Sequence, residues 1–412
     1  MSQICLTLYP LTTIAHYNTN TIQPRFPWYG SLVLPSSYIH VIYKYNYINM
    51  HTTLLLVLHL FHLRSTAALE FGVNVHNGGA NPQRLAEILS QRNLKHARFD
   101  LWGNDPKSLA TFRTAVGALN AAGIRSEAVV FTVFSRDQKR SEDCGADLRE
   151  VEATAYNQTK PQIEATKDLL QDFELQNEVN LYPNMKAPNT TGQNASDYEV
   201  LCGHMQAAVL RGMSRAVADV RRDSGLPLRI IVGTTDRSFG FIRFMQSQNV
   251  SIDVLGYHIY PWFQNKPLDQ DPFFGPGGCL GQLGMFKLPI RINEYNAGEI
   301  YAGTGAYSSY QPYENTAGQK VTEQGFQSMH KHLEEIVLNT VANVESIMFY
   351  EIWDETRKKA PENRFGLFYD ANMTLPKISL FVASCYAGGY LSPTERELLA
   401  KRQLGNCSRV PA

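Results

Sequence analysis

From residue 69 onward, short runs of β-branched and aromatic residues alternate with longer stretches of helical period, eight times over. Parallel strands need crossover connections of about a dozen residues or more, and helices usually supply them, so this alternation points to a parallel α/β architecture. The strand-like runs lie at 71–76, 96–101, 127–134, 172–178, 228–234, 252–260, 289–295 and 346–353. Helical stretches lie at 82–92, 106–122, 159–170, 197–223, 239–248, 321–342 and 377–387, with a weak one at 280–286. Val209, Met213, Val217 and Val220 recur at the spacing of one buried helix face.

Eight strands each followed by a helix predict a single-domain α/β fold, a (β/α)₈ TIM barrel, and the span from residue 69 has that barrel's usual size. An open doubly wound sheet is the structural alternative. The turn after Gly72-Val-Asn-Val-His76 carries Gly78 and Gly79 but no GxGxxG, and no Walker A loop occurs, so nothing favours that sheet. The longest segments without period, 180–196, 260–278 and 296–322, all follow strand C-termini, where barrel enzymes carry their substrate loops.

Two carboxylates stand where expected strands run out. Glu178 ends Asp172-Phe-Glu-Leu-Gln-Asn-Glu178, and Glu294 ends Leu288-Pro-Ile-Arg-Ile-Asn-Glu294, each directly after an asparagine. Barrel strands are buried on both faces, so a charge is costly within them unless it is paired or sits at the mouth. Glu174, deeper along the fourth strand, reads as an interior ion-pair partner. Two carboxyl groups converging at the mouth can cleave a glycosidic bond without metal or cofactor. No cofactor is expected, and no CxxC or Cys/His spacing suggests zinc.

Phe173-Glu-Leu-Gln-Asn-Glu178 resembles the strand-four motif of glycoside hydrolase clan A, the retaining (β/α)₈-barrel glycosidases, and Ile290-Arg-Ile-Asn-Glu-Tyr295 resembles its strand-seven nucleophile motif. Tyr257-His-Ile-Tyr260, Ala97-Arg-Phe-Asp100, Trp353, and Phe365-Gly-Leu-Phe-Tyr-Asp370 with Leu375-Pro-Lys377 match further parts of the clan's pattern in order, over nearly all of 69–390. The clan's usual proline after the acid/base glutamate is here Val179, and its Thr-Glu-aromatic-Gly is here Asn293-Glu294-Tyr295-Asn296, which leaves the family within the clan open. The resemblance implies Glu178 as acid/base and Glu294 as nucleophile. It implies supporting or substrate-binding roles for Asn177, Arg98, His258, Tyr260 and an aromatic floor at Trp353. His76 and Asn77 after the first strand, Glu351 and Asp354 of the eighth, and Trp262 and Phe263 after the sixth are further sugar contacts to expect.

Lys+Arg and Asp+Glu balance at 38 each, so no charge excess points to nucleic acid or an anionic membrane. An oligo- or polysaccharide is the expected partner, without stable membrane insertion; oligomeric state is left open. Leu54 to Leu63 forms an apolar core too short to span a bilayer but suited to a signal peptide, with small residues Ser65 to Ala68 following. Residues 1–49 therefore read as an upstream extension, 50–68 as a signal peptide and 69–412 as the barrel domain, with an internal signal-anchor as the alternative. Six Asn-x-Ser/Thr sequons, at Asn157, Asn189, Asn194, Asn249, Asn372 and Asn406, also favour secretion. Of the five cysteines past residue 68, Cys385 and Cys407 are the expected pair. The expectation is a secreted β-glycosidase acting within a cell-wall-type β-glycan. The alternatives are an exo-acting β-xylosidase or β-glucuronidase-like enzyme, and an inactive glycan-binding barrel.

Overall fold

All eight expected strands form, and their ladder closes on itself. The computed structural model describes residues 69–404 apart from 77–80, 104, 137, 139, 261–266, 270–272, 297–299, 302–311, 315–319, 323 and 360–361. The barrel strands are β1 (Glu70–Val75), β2 (His96–Trp102), β3 (Arg125–Phe131), β4 (Asp172–Leu175), β5 (Arg229–Thr235), β6 (Val254–Ile259), β7 (Ile290–Tyr295) and β8 (Val344–Phe349). Each pairs in parallel with its sequence neighbours, and β8 returns to β1 with Ile347 opposite Phe71. The unit containing them runs from Ala67 to Ala412. The expected extension and signal peptide at 1–68 lie outside the described residues, as do Asn77, Trp262, Phe263, Asn406 and Cys407.

The crossover helices are α1 (Pro82–Gln91), α2 (Pro106–Ala121), α3 (Leu148–Glu164), α4 (Leu201–Ser224), α5 (Phe239–Ser247), α6 (Gly278–Gly284), α7 (Gln324–Val337) and α8 (Ile378–Tyr386). The first three start on side-chain caps. Asn81 accepts from the Gln83 and Arg84 amides with Pro82 next, and Asp105 accepts from Ser108 with Pro106 next. α3 begins at Leu148, well ahead of the expected 159, where Asp147 caps the Arg149 amide. Its buried face runs Val151, Ala155, Thr159, Gln162 and Ile163, and the two polar members blur the apolar period. A ninth helix, α9 (Pro393–Lys401), was not expected; it buries little besides Leu399. Its start is nonetheless written in the sequence as a capping box between Ser392 and Glu395. A small antiparallel sheet of Ile300–Tyr301, Pro312–Glu314 and Lys320–Thr322 occupies the segment read as lacking period.

Charge runs up the inside of the barrel. Arg291 donates to Glu127 at 2.5 Å and to Asp172 at 2.8 Å, while Arg229 bonds Asp172 from the neighbouring strand. Burial, opposed by Arg291, pushes the Glu127 carboxyl up to about 7. Such groups are tolerated in a dry interior because each has a fixed opposite charge; removing one partner would strand the other. Among the described residues Cys144 pairs with Cys202, tying the loop before α3 to the first turn of α4, while Cys279 is free and buried. Cys385 is disulfide-bonded, and Cys407, its expected partner, is not described.

Candidate active site

β4 ends at Leu175, so Glu178 stands three residues past the strand rather than at its end. Between them the backbone kinks: Gln176 and Glu178 have φ of 62° and 48°, a left-handed conformation that costs a non-glycine residue on the order of 1 kcal/mol or more. Contacts on Gln176 hold the kink. Its amide nitrogen donates to the Val130 carbonyl at 3.0 Å, and its side-chain oxygen accepts from Tyr182 Oη at 3.0 Å. A short 3₁₀ turn, Val179–Leu181, then carries the chain away with Val179 buried. The kink turns Glu178 over the barrel mouth, with its side chain 15% exposed.

Glu294 lies inside β7, and here pairing with β6 slips: Tyr257 faces Ile292, but His258 faces Glu294. One residue of β7 is thus bulged. Strict alternation would send Asn293 and Glu294 to opposite faces. With the bulge, both reach the interior: Asn293 donates to Glu174 at 2.7 Å, and Glu294 meets Arg98, His258 and Tyr260.

Arg98, buried on β2, connects these parts. Its Nε donates to Glu174 Oε2 at 2.6 Å; one terminal nitrogen donates to Asn74 Oδ1 at 2.6 Å and Glu294 Oε1 at 2.9 Å; the other donates to Asn177 Oδ1 at 2.8 Å. Burial works to lower its pKa, yet Glu174 and Glu294 outweigh it and raise it well above the ordinary value. Glu174 is the interior ion-pair partner expected of it; Arg98 and His258 overcome burial and bring its carboxyl down to about 2. Gly233 on β5 makes room for it, since a Cβ there would meet Glu174 Oε1 at 2.8 Å.

His258 sits among three carboxylates. Its Nδ1 faces Glu178 Oε1 at 3.1 Å and Glu294 Oε2 at 3.3 Å, and its Nε2 faces Glu174 Oε1 at 3.5 Å. Burial would lower its pKa, but Glu294, Glu174 and Glu178 raise it to about 10, so the ring is an imidazolium at neutral pH. Tyr260 donates its hydroxyl to Glu294 Oε2. Oxygens of Glu178 and Glu294 both lie within 4.8 Å of each other and of a His258 ring nitrogen.

The other expected residues are further off. His76 touches neither glutamate; it bonds Asp100 at 2.9 Å and lies 3.5 Å from Glu351. Its ring meets Tyr350 edge-on, and Tyr350 in turn meets Tyr260, whose hydroxyl donates to Glu294. Lys358 donates to Glu351 at 2.9 Å and to Tyr350 Oη at 2.7 Å, while burial pushes the Glu351 carboxyl up to about 8. β8 ends at Phe349, so Trp353 falls beyond it, bridged to Phe368 and only 6% exposed. Asp354, expected beside the sugar, is enclosed instead by Lys377 and the Gly366 amide. Gly366 packs directly on the Trp353 backbone, which a Cβ would meet at 2.1 Å.

Among the described residues two groups have metal-ligand spacing, Glu178–His258–Glu294 and His76–Glu351–Glu355. In each, protein cations already bond the carboxylates: Arg98 on Glu294, and Lys358 on Glu351 and Glu355. Asn74, Glu174, Gly233 and Tyr350 complete the site. Only Glu174 was marked in the sequence, because the others' roles depend on neighbours distant along the chain.

No family model and no curated protein matches the sequence. Among solved structures the chain is similar to a β-glucosidase from Thermotoga maritima in complex with azafagomine, with a TM-score of 0.53 and 12% identity, covering 79% of this chain and 99% of that one. It is also similar to the family 1 β-glucosidase from Thermotoga maritima, with a TM-score of 0.51 and 11% identity over 78% of this chain and 97% of that one. At such identity the likeness is one of fold. The expected (β/α)₈ barrel holds, and so at the level of fold does the resemblance to barrel glycosidases.

Proposed function

We propose that this protein is a retaining β-glycosidase, with Glu294 as nucleophile and Glu178 as acid/base, working through a covalent glycosyl-enzyme. The observation that carries this reading is that oxygens of the two carboxylates lie within 4.8 Å of each other at the mouth of the barrel. Retaining enzymes hold their carboxyls at roughly 5–5.5 Å, whereas inverting enzymes need about 6.5–9.5 Å to admit a water. Glycosidase neighbours of the same fold agree with this chemistry.

In the first half-reaction a Glu294 oxygen bonds to the anomeric carbon as the glycosidic C–O bond breaks. The leaving oxygen takes the Glu178 proton. In the second, the Glu178 carboxylate accepts a proton from water, whose oxygen attacks the anomeric carbon and releases Glu294. The donors divide the labour. Arg98 donates to one Glu294 oxygen and Tyr260 to the other, which holds that carboxylate in place for attack. Arg98 also occupies Asn177 Oδ1, which turns the amide N–H groups of Asn177 into the donors available to a sugar 2-hydroxyl.

Secretion belongs to the same proposal. Asn157, Asn189, Asn194, Asn249 and Asn372 are all exposed, as glycosylation requires, and the Cys144–Cys202 bridge suits an oxidising compartment. The finer reading is endo action on a β-linked cell-wall-type glycan.

The test is a pair of variants assayed on aryl β-glycosides. Glu178→Ala and Glu294→Ala should each lose about three to five decades of rate, on the order of 4–7 kcal/mol of barrier. Azide should rescue Glu178→Ala with a β-glycosyl azide as product and Glu294→Ala with the α-anomer. Reversed anomers would exchange the roles, and a parent protein that binds glycans but cleaves none would make it a lectin.

A further inference from the structure

Arg98, Asp100 and Trp102 alternate along β2 and so share its inner face, where Arg98 meets Glu294 and Asp100 meets His76. On β3, Glu127, Val129 and Phe131 share the inner face in the same way, and the register sets Arg98 opposite Glu127 and Trp102 opposite Phe131. The two aromatic side chains thus form the uppermost layer of the barrel interior on this side. They stand four residues, or about 13 Å of strand rise, above the layer of Arg98. Their rings lie face to face, with centroids 3.8 Å apart and planes within 2°. Phe131 is buried and Asp100 half-buried, while Trp102 is 41% exposed. Phe131 therefore covers one face of the indole and fixes its tilt, and the other side is open at the rim.

A rigid, half-covered indole at the mouth is too large to be left there by core packing, which would enclose it. Its flat apolar face, charge-free and wide, matches the C–H face of a pyranose ring. Phe131 fixes the ring in advance, so binding a sugar costs little further ordering.

We infer that Trp102, backed by Phe131, is a sugar-binding platform for a glycan unit away from the bond being cut, so that the site takes a chain of several sugars. This rests on the glycosidase reading above and deepens it from a single sugar to an oligosaccharide or polysaccharide.

The test compares Trp102→Ala and Trp102→Phe with the parent in two assays. In the first, kcat/KM is measured on cellohexaose, xylohexaose and laminarihexaose and on the corresponding 4-nitrophenyl β-monoglycosides. Trp102→Ala should lower kcat/KM about tenfold on the hexasaccharide that the parent cleaves and leave the monoglycoside unchanged. Trp102→Phe, which keeps a flat ring, should recover most of that loss. In the second, binding of the same hexasaccharides is followed by calorimetry, which needs no turnover. Trp102→Ala should bind more weakly by the same factor, and Trp102→Phe nearly as tightly as the parent. Equal losses on hexasaccharide and monoglycoside, unaltered hexasaccharide affinity in Trp102→Ala, or a parent that binds none of the three would each overturn the platform. A parent that binds hexasaccharides through Trp102 yet cleaves nothing would sink the glycosidase reading alone.

Discussion

His258 shows how much the site depends on single contacts. One imidazolium faces Glu174, Glu178 and Glu294 together, and its charge keeps three carboxylates within one small dry volume. Its folded pKa of about 10 lies above the ordinary 6.5. The stability from its charge is therefore fully present below about pH 6.5, shrinks as pH rises from there, and is lost through about pH 10. Urea melts of the parent and His258→Gln across that window should show a gap that narrows steadily towards alkaline pH. A gap that stays constant from about pH 6 to 10 would mean the ring is not charged in the native state. Glu174 has the opposite sign: its pKa is depressed to about 2, so its contribution holds above about 4.5 and disappears only in strong acid.

At the scale of elements, two local irregularities make the site, and neither could be read in advance. The left-handed kink at Gln176 and Glu178 and the bulge in β7 each move a carboxylate off its regular strand position. The pairs Asn177–Glu178 and Asn293–Glu294 stand out in the sequence as polar residues closing apolar runs. Whether a strand stops or bulges there depends on its partner strand, which one chain segment does not reveal. Gly233 tests this fit. Gly233→Ala would press a methyl group against Glu174 Oε1, which a Cβ meets at 2.8 Å, and shift the Arg98 contact behind Glu294. The expected result is a loss of about 1–3 kcal/mol in denaturant melts together with reduced kcat; a variant as stable and active as the parent would show that the interior yields freely. The late reading of α3 has a similar cause, since buried Thr159 and Gln162 hide its apolar face, whereas the Ser392–Glu395 box of α9 was present to be read.

For the whole molecule, the alternation of strand and helix runs carried the fold, because a parallel barrel demands that rhythm from end to end. Function is less a property of the barrel than of what its mouth gathers: Arg98 from β2, Glu178 past β4, His258 and Tyr260 from β6 and its end, and Glu294 from β7. Residues 196 positions apart, Arg98 and Glu294, meet there at 2.9 Å. The exposed Trp102 stands at the rim stacked on Phe131 of the neighbouring strand, a pairing that no single chain segment reveals. The proposed mechanism requires a covalent bond between Glu294 and the sugar. Intact protein incubated with activated 2-deoxy-2-fluoro β-glycosides, digested and read by mass spectrometry, would trap that bond. A single fluoro-sugar on the peptide containing Glu294 is the predicted result, and a label on Glu178, or turnover of the parent glycoside to the inverted anomer, would contradict it.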